Sequence, residues 1–178
     1  AAVTAAVDAF QVMRTMPAAS VDLAVTDPPY LVNYRPRDGR RCLNDDDARW
    51  LRPAFAEIHR LLKADAFCVS FYGWPWIDRF MSAWKEAGFR PVSHLVWVKT
   101  HCSREGFTRS HHEVGFLLAK GKPPRPTKPL SDVLNYNPST RRAFDDEEIG
   151  RLSNESVINP VPHQPLTSGN VMRLAKTL

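Results

Sequence analysis

Apolar positions along this chain fall into two alternating rhythms, one of helical period and one extended. Residues 21–26 form a short, mostly apolar run that stops abruptly on Asp27-Pro28-Pro29-Tyr30, which predicts a strand delivering a rigid polar tip. Ahead of it, Ala9, Val12, Met13 and Met16 are spaced as one helical face, with Asp8 placed as N-cap and Pro17-Ala18-Ala19-Ser20 as the closing turn. Trp50, Leu51, Ala54, Phe55, Ile58, Leu61 and Leu62 mark a second amphipathic helix. Asp45-Asp46-Asp47 precedes it, where acids interact favourably with a helix dipole.

Residues 66–72 read as a buried strand ending at Gly73, and residues 76–89 as a helix with Ile77, Phe80, Met81 and Trp84 inward and Gly88 as its stop. Residues 91–99 alternate as a strand, and 113–119 predict another that pairs with it as a hairpin. Strand, helix, strand, helix, strand is the order of an α/β fold, a parallel sheet wrapped by helices. Such sheets bind ligands at the carboxyl ends of their strands, where Asp27, Gly73 and Lys99 fall.

Between these elements lie polar, basic stretches. Residues 31–47 carry Arg35, Arg37, Arg40 and Arg41 around Gly39, and residues 101–112 carry Arg104, Phe107, Arg109, His111 and His112. The first is a loop whose arginines either grip phosphates or face solvent. Residues 120–129 are basic and proline-rich, a semi-rigid extended spacer. The chain thus divides into residues 1–120, a linker at 121–130, and a tail at 131–178 in which short helices are expected at 144–152 and beyond Ser168.

Composition narrows the class without naming a function. The 178 residues suit one domain, and 43% hydrophobic with 24% charged residues is ordinary for a globular protein. No stretch approaches a membrane span and the start lacks the features of a secretory signal, so a cytoplasmic location is expected. A net charge of +5 is compatible with a polyanionic partner. Cys42, Cys68 and Cys102 form neither a disulfide framework nor a metal pair, and the spacing of His101, Cys102, His111 and His112 fits no common zinc site, so no metal is expected.

The tip carries the chemistry. A residue before proline is held extended, a restriction that applies to Asp27 and again to Pro28, while proline offers no N–H. A carboxylate and carbonyl oxygens are therefore preorganised beside an aromatic ring. Such acceptors suit a planar substrate with an NH2 group: accepting its two hydrogens draws the nitrogen toward tetrahedral geometry and frees its lone pair. Read alone, the same four residues also make a plain turn.

Asp27-Pro28-Pro29-Tyr30 after an apolar strand resembles the catalytic motif of the S-adenosylmethionine-dependent DNA amino-methyltransferases, in their β-class order. Trp97-Val98-Lys99 resembles that family's Trp-x-Lys strand end. The resemblance implies a Rossmann-like methyltransferase sheet with flanking helices. It implies S-adenosylmethionine as cofactor, held with help from Asp8, Asp27 and Pro28, and double-stranded DNA as partner, with Tyr30 stacked on the target base. The Asp form with Tyr leans toward adenine N6 over cytosine N4. Recognition contacts are expected from Lys99, Arg104, Arg109, His111 and His112, with Arg40 and Arg41 on the phosphates.

The likeness fades after residue 136. A His-Pro-x-x-Lys-Pro segment is only echoed by Pro162-His163-Gln164-Pro165, and no glycine-rich cluster follows Gly121, leaving only Gly150 and Gly169. The fold is thus expected to be incomplete, its open edges covered by the tail, a second copy or a missing C-terminal half. Two other readings stand beside an active enzyme: a catalytically silent DNA-binding remnant, and a methyltransferase acting on RNA or a protein amide.

Overall fold

The structure, a computed structural model, describes residues 9–33, 45–100, 104–129 and 131–135, with backbone only at 104 and 105. Its organising element is a five-stranded sheet ordered β1-β2-β6-β3-β7. β1 (Val21–Thr26) pairs in parallel with β2 (Leu62–Phe71), and β3 (Arg90–Val98) with β7 (Val133–Asn135). β6 (His112–Ala119) lies antiparallel between β2 and β3.

β1, β2, β3 and β7 share one direction, as the strand–helix order implies, and β6 alone opposes them, as its hairpin with β3 implies. Residues 99–111 return the chain beside β3 with no helix among the described residues to cross the sheet, and β6 runs back as the second arm of a hairpin. β6 also suits the centre, because residues of both its faces are apolar: Val114, Phe116 and Leu118 on one, Leu117 on the other. β3 leaves Val92 38% exposed in its first half and cannot replace it there. The hairpin of β3 and β6 is as the pattern implied. Beyond residue 120 the expectation of a separate tail meets β7, which brings the chain back to the sheet beside Val96–Val98.

Three helices pack on one face. α2 (Leu51–Leu61) buries Leu51, Phe55, Ile58 and Leu61, spaced three and four apart, and α3 (Ile77–Glu86) buries Phe80, Ala83 and Trp84. Gly88, at φ +97°, ends that helical region in the left-handed conformation glycine adopts at no steric cost. α2 passes into β2 with no intervening loop, and Lys120 Nζ donates to the carbonyls of His59 and Leu62 at 2.7 Å each. The ammonium therefore sits at the negative end of α2. α1 (Ala9–Thr15) turns Met13 inward and leaves Val12 43% exposed, contrary to the expected face. Arg60 fixes this orientation by donating to the carbonyls of Met13 and Met16 at 2.9 and 3.0 Å.

The acids before α2 do not cap it. Trp50 is the N-cap residue and makes no side-chain cap bond, while the Asp47 carboxylate turns back to Arg49. Asp45, 3% exposed, accepts the Val32 N–H at 3.2 Å on its carboxylate and the Asn33 N–H at 3.1 Å on its carbonyl.

The opposite face buries Leu23, Val25, Val69, Phe71 and Leu95, with Tyr30, Phe67, Trp97, Leu117 and Leu134 packed around them. No helix among the described residues lies on it. No described helix is long and apolar enough to cross a membrane.

Candidate functional site

The polar tip begins where β1 ends. Pro28 is buried and Asp27, Pro29 and Tyr30 partly so. Tyr30 packs toward the helix-free face, while the next residue, Leu31, joins the cluster under the helices with 8% exposure. The chain thus straddles the end of the sheet. Leu31 adopts φ +62°, a left-handed conformation that costs roughly 1–2 kcal/mol for a non-glycine residue. Burying its side chain, about 1.5–3 kcal/mol, offsets that cost. Asp45 holds the two residues that follow.

Gly73, directly after β2, supports the tip from below. A Cβ placed there would lie 2.9 Å from Tyr30 Cβ and collide with the Tyr30 carbonyl oxygen. Its φ of −78° is available to any residue, so space rather than conformation requires glycine.

Four side chains define the electrostatics. The Tyr30 hydroxyl is hydrogen-bonded to Asp27, and burial first, then the charges of Asp27 and Glu113, push its ionisation far above the usual phenol range. Tyr30 is therefore a neutral donor at any physiological pH. Lys99 Nζ pairs with Glu113 Oε1, the two side chains 14% and 40% exposed. Two pairs thus lie near each other, Tyr30 donating to Asp27 and Lys99 to Glu113, with the Glu113 charge felt at the Tyr30 hydroxyl.

The register sets the height of the surroundings. Thr26 is level with Ser70, Phe116 and His94. The pair Val98–His112 lies four residues further along the hairpin, about 13 Å at the usual rise per residue. The β3–β6 hairpin therefore runs on beyond the end of β1, and the small hairpin of β4 (Arg104–Glu105) and β5 (Arg109–Ser110) is carried in its connection.

Of the residues expected to contact DNA, Arg109, His111 and His112 are exposed on this extension. Arg104 lies in β4. Lys99 instead turns inward to Glu113. Tyr30 is held by its hydroxyl on Asp27, so stacking on a base requires its ring to serve both contacts. His94 bonds the Tyr72 hydroxyl at 3.0 Å on the helix-covered face, away from the tip cluster. Asp8, Arg40, Arg41, His101, Cys102, His163 and Gln164 lie outside the described residues.

The roles of Glu113, Gly73 and Leu31 were not read from the sequence. Glu113 alone left a trace, two and four positions before Gly115 and Leu117 on the same strand face.

Asp27 and Pro28 are the described part of the expected cofactor site. The space between α1, β1 and α2 is lined by Met13, Val21, Ala24, Val25, Thr26, Ile58 and Leu61, an apolar set unsuited to the amino, carboxylate and ribose groups of S-adenosylmethionine. Among the described residues this space does not make a cofactor cradle.

A family model described as DNA methylase, of the N6/N4 methyltransferase type, matches residues 21–164. A protein of Escherichia coli (strain K12) named as a methylase, YubD, is 49% identical over 141 residues, covering 79% of this chain and 62% of its own. The type II methyltransferase M.BglII of Bacillus subtilis is 30% identical over 103 residues, covering 53% of this chain and 28% of its own. Among solved structures, the cytosine-N4-specific PvuII DNA methyltransferase superposes with a TM-score of 0.59 at 13% identity, covering 89% of this chain and 64% of its own. The M1.HpyAVI–SAM complex gives 0.50 at 18% identity, covering 74% and 65%. The likeness to these two is one of fold, a Rossmann-like α/β sheet of which this chain spans part. The chain spans under two thirds of each of these four proteins. With most of its length matched by the family model and by a 49% identical relative, the chain belongs to the N6/N4 DNA methylase family.

Proposed function

We propose that this chain orients the exocyclic amine of a flipped base in double-stranded DNA, adenine N6, for methylation with S-adenosylmethionine as donor. The observation that carries the reading is the Asp27 carboxylate, fixed by the prolines after it and bonded to a Tyr30 hydroxyl that does not ionise. An aromatic amine is a poor nucleophile because its lone pair is delocalised. Asp27 and the Pro28 carbonyl each accept one amine hydrogen, which localises the lone pair on nitrogen. A carboxylate has about four acceptor positions. Tyr30 takes one and leaves room for the amine. The cofactor, when bound, would supply the methyl of its sulfonium, the carbon–sulfur bond breaking to leave a neutral thioether as the carbon–nitrogen bond forms; the amine then loses a proton to solvent. Flipping is required because the amine edge is paired inside the duplex. The Asp27 and Tyr30 combination in the tip favours adenine over cytosine.

The test is transfer of a labelled methyl group from S-adenosylmethionine to unmethylated duplex DNA, with Asp27→Ala beside the unchanged chain. Loss of roughly 10²–10³-fold or more is expected from removing one preorganised group of this kind. Full transfer by Asp27→Ala would remove the mechanism. Digestion of the product and identification of the methylated nucleoside separates N6-adenine from N4-cytosine.

A second reading is favoured by the apolar lining of the space between α1, β1 and α2, which offers no partner to a polar cofactor. On it the chain is a silent DNA-binding remnant, with salt-sensitive DNA affinity and no response to the cofactor. Transfer RNA and protein acceptors in the same assay cover the remaining alternatives.

A further inference from the structure

The described side chain most out of place on a protein surface is Phe107, at 110% relative exposure. It occupies the turn between β4 and β5, closed by the Gly106 N–H on the Thr108 carbonyl at 3.1 Å. The cross-strand pairs Arg104–Ser110 and Glu105–Arg109 hold the hairpin beneath it. The fold gains nothing from the ring, which belongs to neither buried cluster.

Its setting points to a ligand. The hairpin stands in the connection that runs beyond the end of the sheet carrying Asp27. Exposed Arg109, His111 and His112 flank it, and Arg104 adds a fourth basic residue in the sequence. An apolar ring carried on basic strands fits a polyanion that can open between apolar planes. Duplex DNA has that chemistry: basic side chains meet its phosphates, and apolar wedges enter between its base steps. An uncharged protein pocket would accept the ring without needing the basic flanks.

We propose that Phe107 is a wedge that inserts into the base stack beside the target nucleotide and holds the gap open while that base is at Asp27. This rests on duplex DNA being the substrate. On a fully paired duplex the wedge must displace a stacked base, so its stacking gain and the unstacking cost nearly cancel. On a duplex with one abasic position the gap already exists, and the gain is expressed.

Fluorescence anisotropy with the full chain measures both cases, using one labelled duplex fully paired and the same duplex with a single abasic position. The unchanged chain is expected to prefer the abasic duplex by about 5- to 150-fold, the range of one base–aromatic stack. Phe107→Ala should lose that preference while binding the paired duplex within about twofold, and Phe107→Trp should keep it. A preference that survives in Phe107→Ala overturns the wedge, as does equal binding of both duplexes by the unchanged chain. Failure to bind either duplex instead overturns the DNA reading, and the wedge falls with it.

Discussion

The two faces of the sheet use the same strands to different ends. Under the helices, Tyr72, Phe80, Trp84 and Phe116 interlock at ring separations of 5.3 to 6.2 Å, each seated by a residue a turn or a strand away. On the other face a smaller apolar patch gives way, toward the carboxyl ends of the strands, to Tyr30, Glu113 and Lys99. Local periodicity builds the first face, whereas the second gathers residues from three distant segments. Substitutions on the first should cost stability, and substitutions at the second should cost chemistry.

The sharpest break of that contrast comes from Phe55, 1% exposed and edge-on to Trp84. Phe55→Ala should lower unfolding stability by about 3–5 kcal/mol, read from urea midpoints. If the midpoint holds, the helix-covered face does not carry the fold. Gly73→Ala should do the reverse. Its methyl pushes on the Tyr30 backbone, and a displacement of that kind costs methyl transfer roughly 10²-fold, with a far smaller midpoint shift than Phe55→Ala. Normal transfer by this variant would mean the tip tolerates movement.

The smallest expected effect concerns His59, edge-on to Phe89 at 4.9 Å. Burial, and then the nearby Lys120 charge, hold its pKa below the usual imidazole value. Between the lowered folded pKa and the unfolded value near 6.5, the unfolded chain binds more protons than the folded one. This contribution is therefore complete above about pH 6.5 and is lost as the pH falls through that window. Solvent access keeps it below about 1 kcal/mol. His59→Gln should flatten the difference between urea midpoints at neutral and mildly acidic pH; an unchanged difference assigns the slope to other groups.

How much of this was legible depends on how local its cause is. The interior of α2 showed in the spacing of Leu51, Phe55, Ile58 and Leu61, and the tip showed in the consecutive prolines, because both constraints act within a few residues. The start of β2 did not, since α2 runs into it at Leu62 and Lys63-Ala64-Asp65, with Asp65 at φ +55°, reads as a turn. β7 is three residues long and follows a proline-rich spacer, too short for any period to register. The contact of Gly73 with Tyr30 and the pairing of Lys99 with Glu113 arise only when strands meet. No pattern in either segment encodes them.

The antiparallel placement of β6 also orders events in time. β2 and β3 do not touch each other through hydrogen bonds, so β1–β2 and β3 stay separate pieces until residues 112–119 arrive between them. The β3–β6 hairpin closes over a short loop and forms early, while its docking onto β2 must close a much longer one. A nascent chain on the ribosome would thus expose the inner edge of β2 until residues 112–119 had emerged. The last strand to enter the middle of the sheet is the one that commits the chain to its fold.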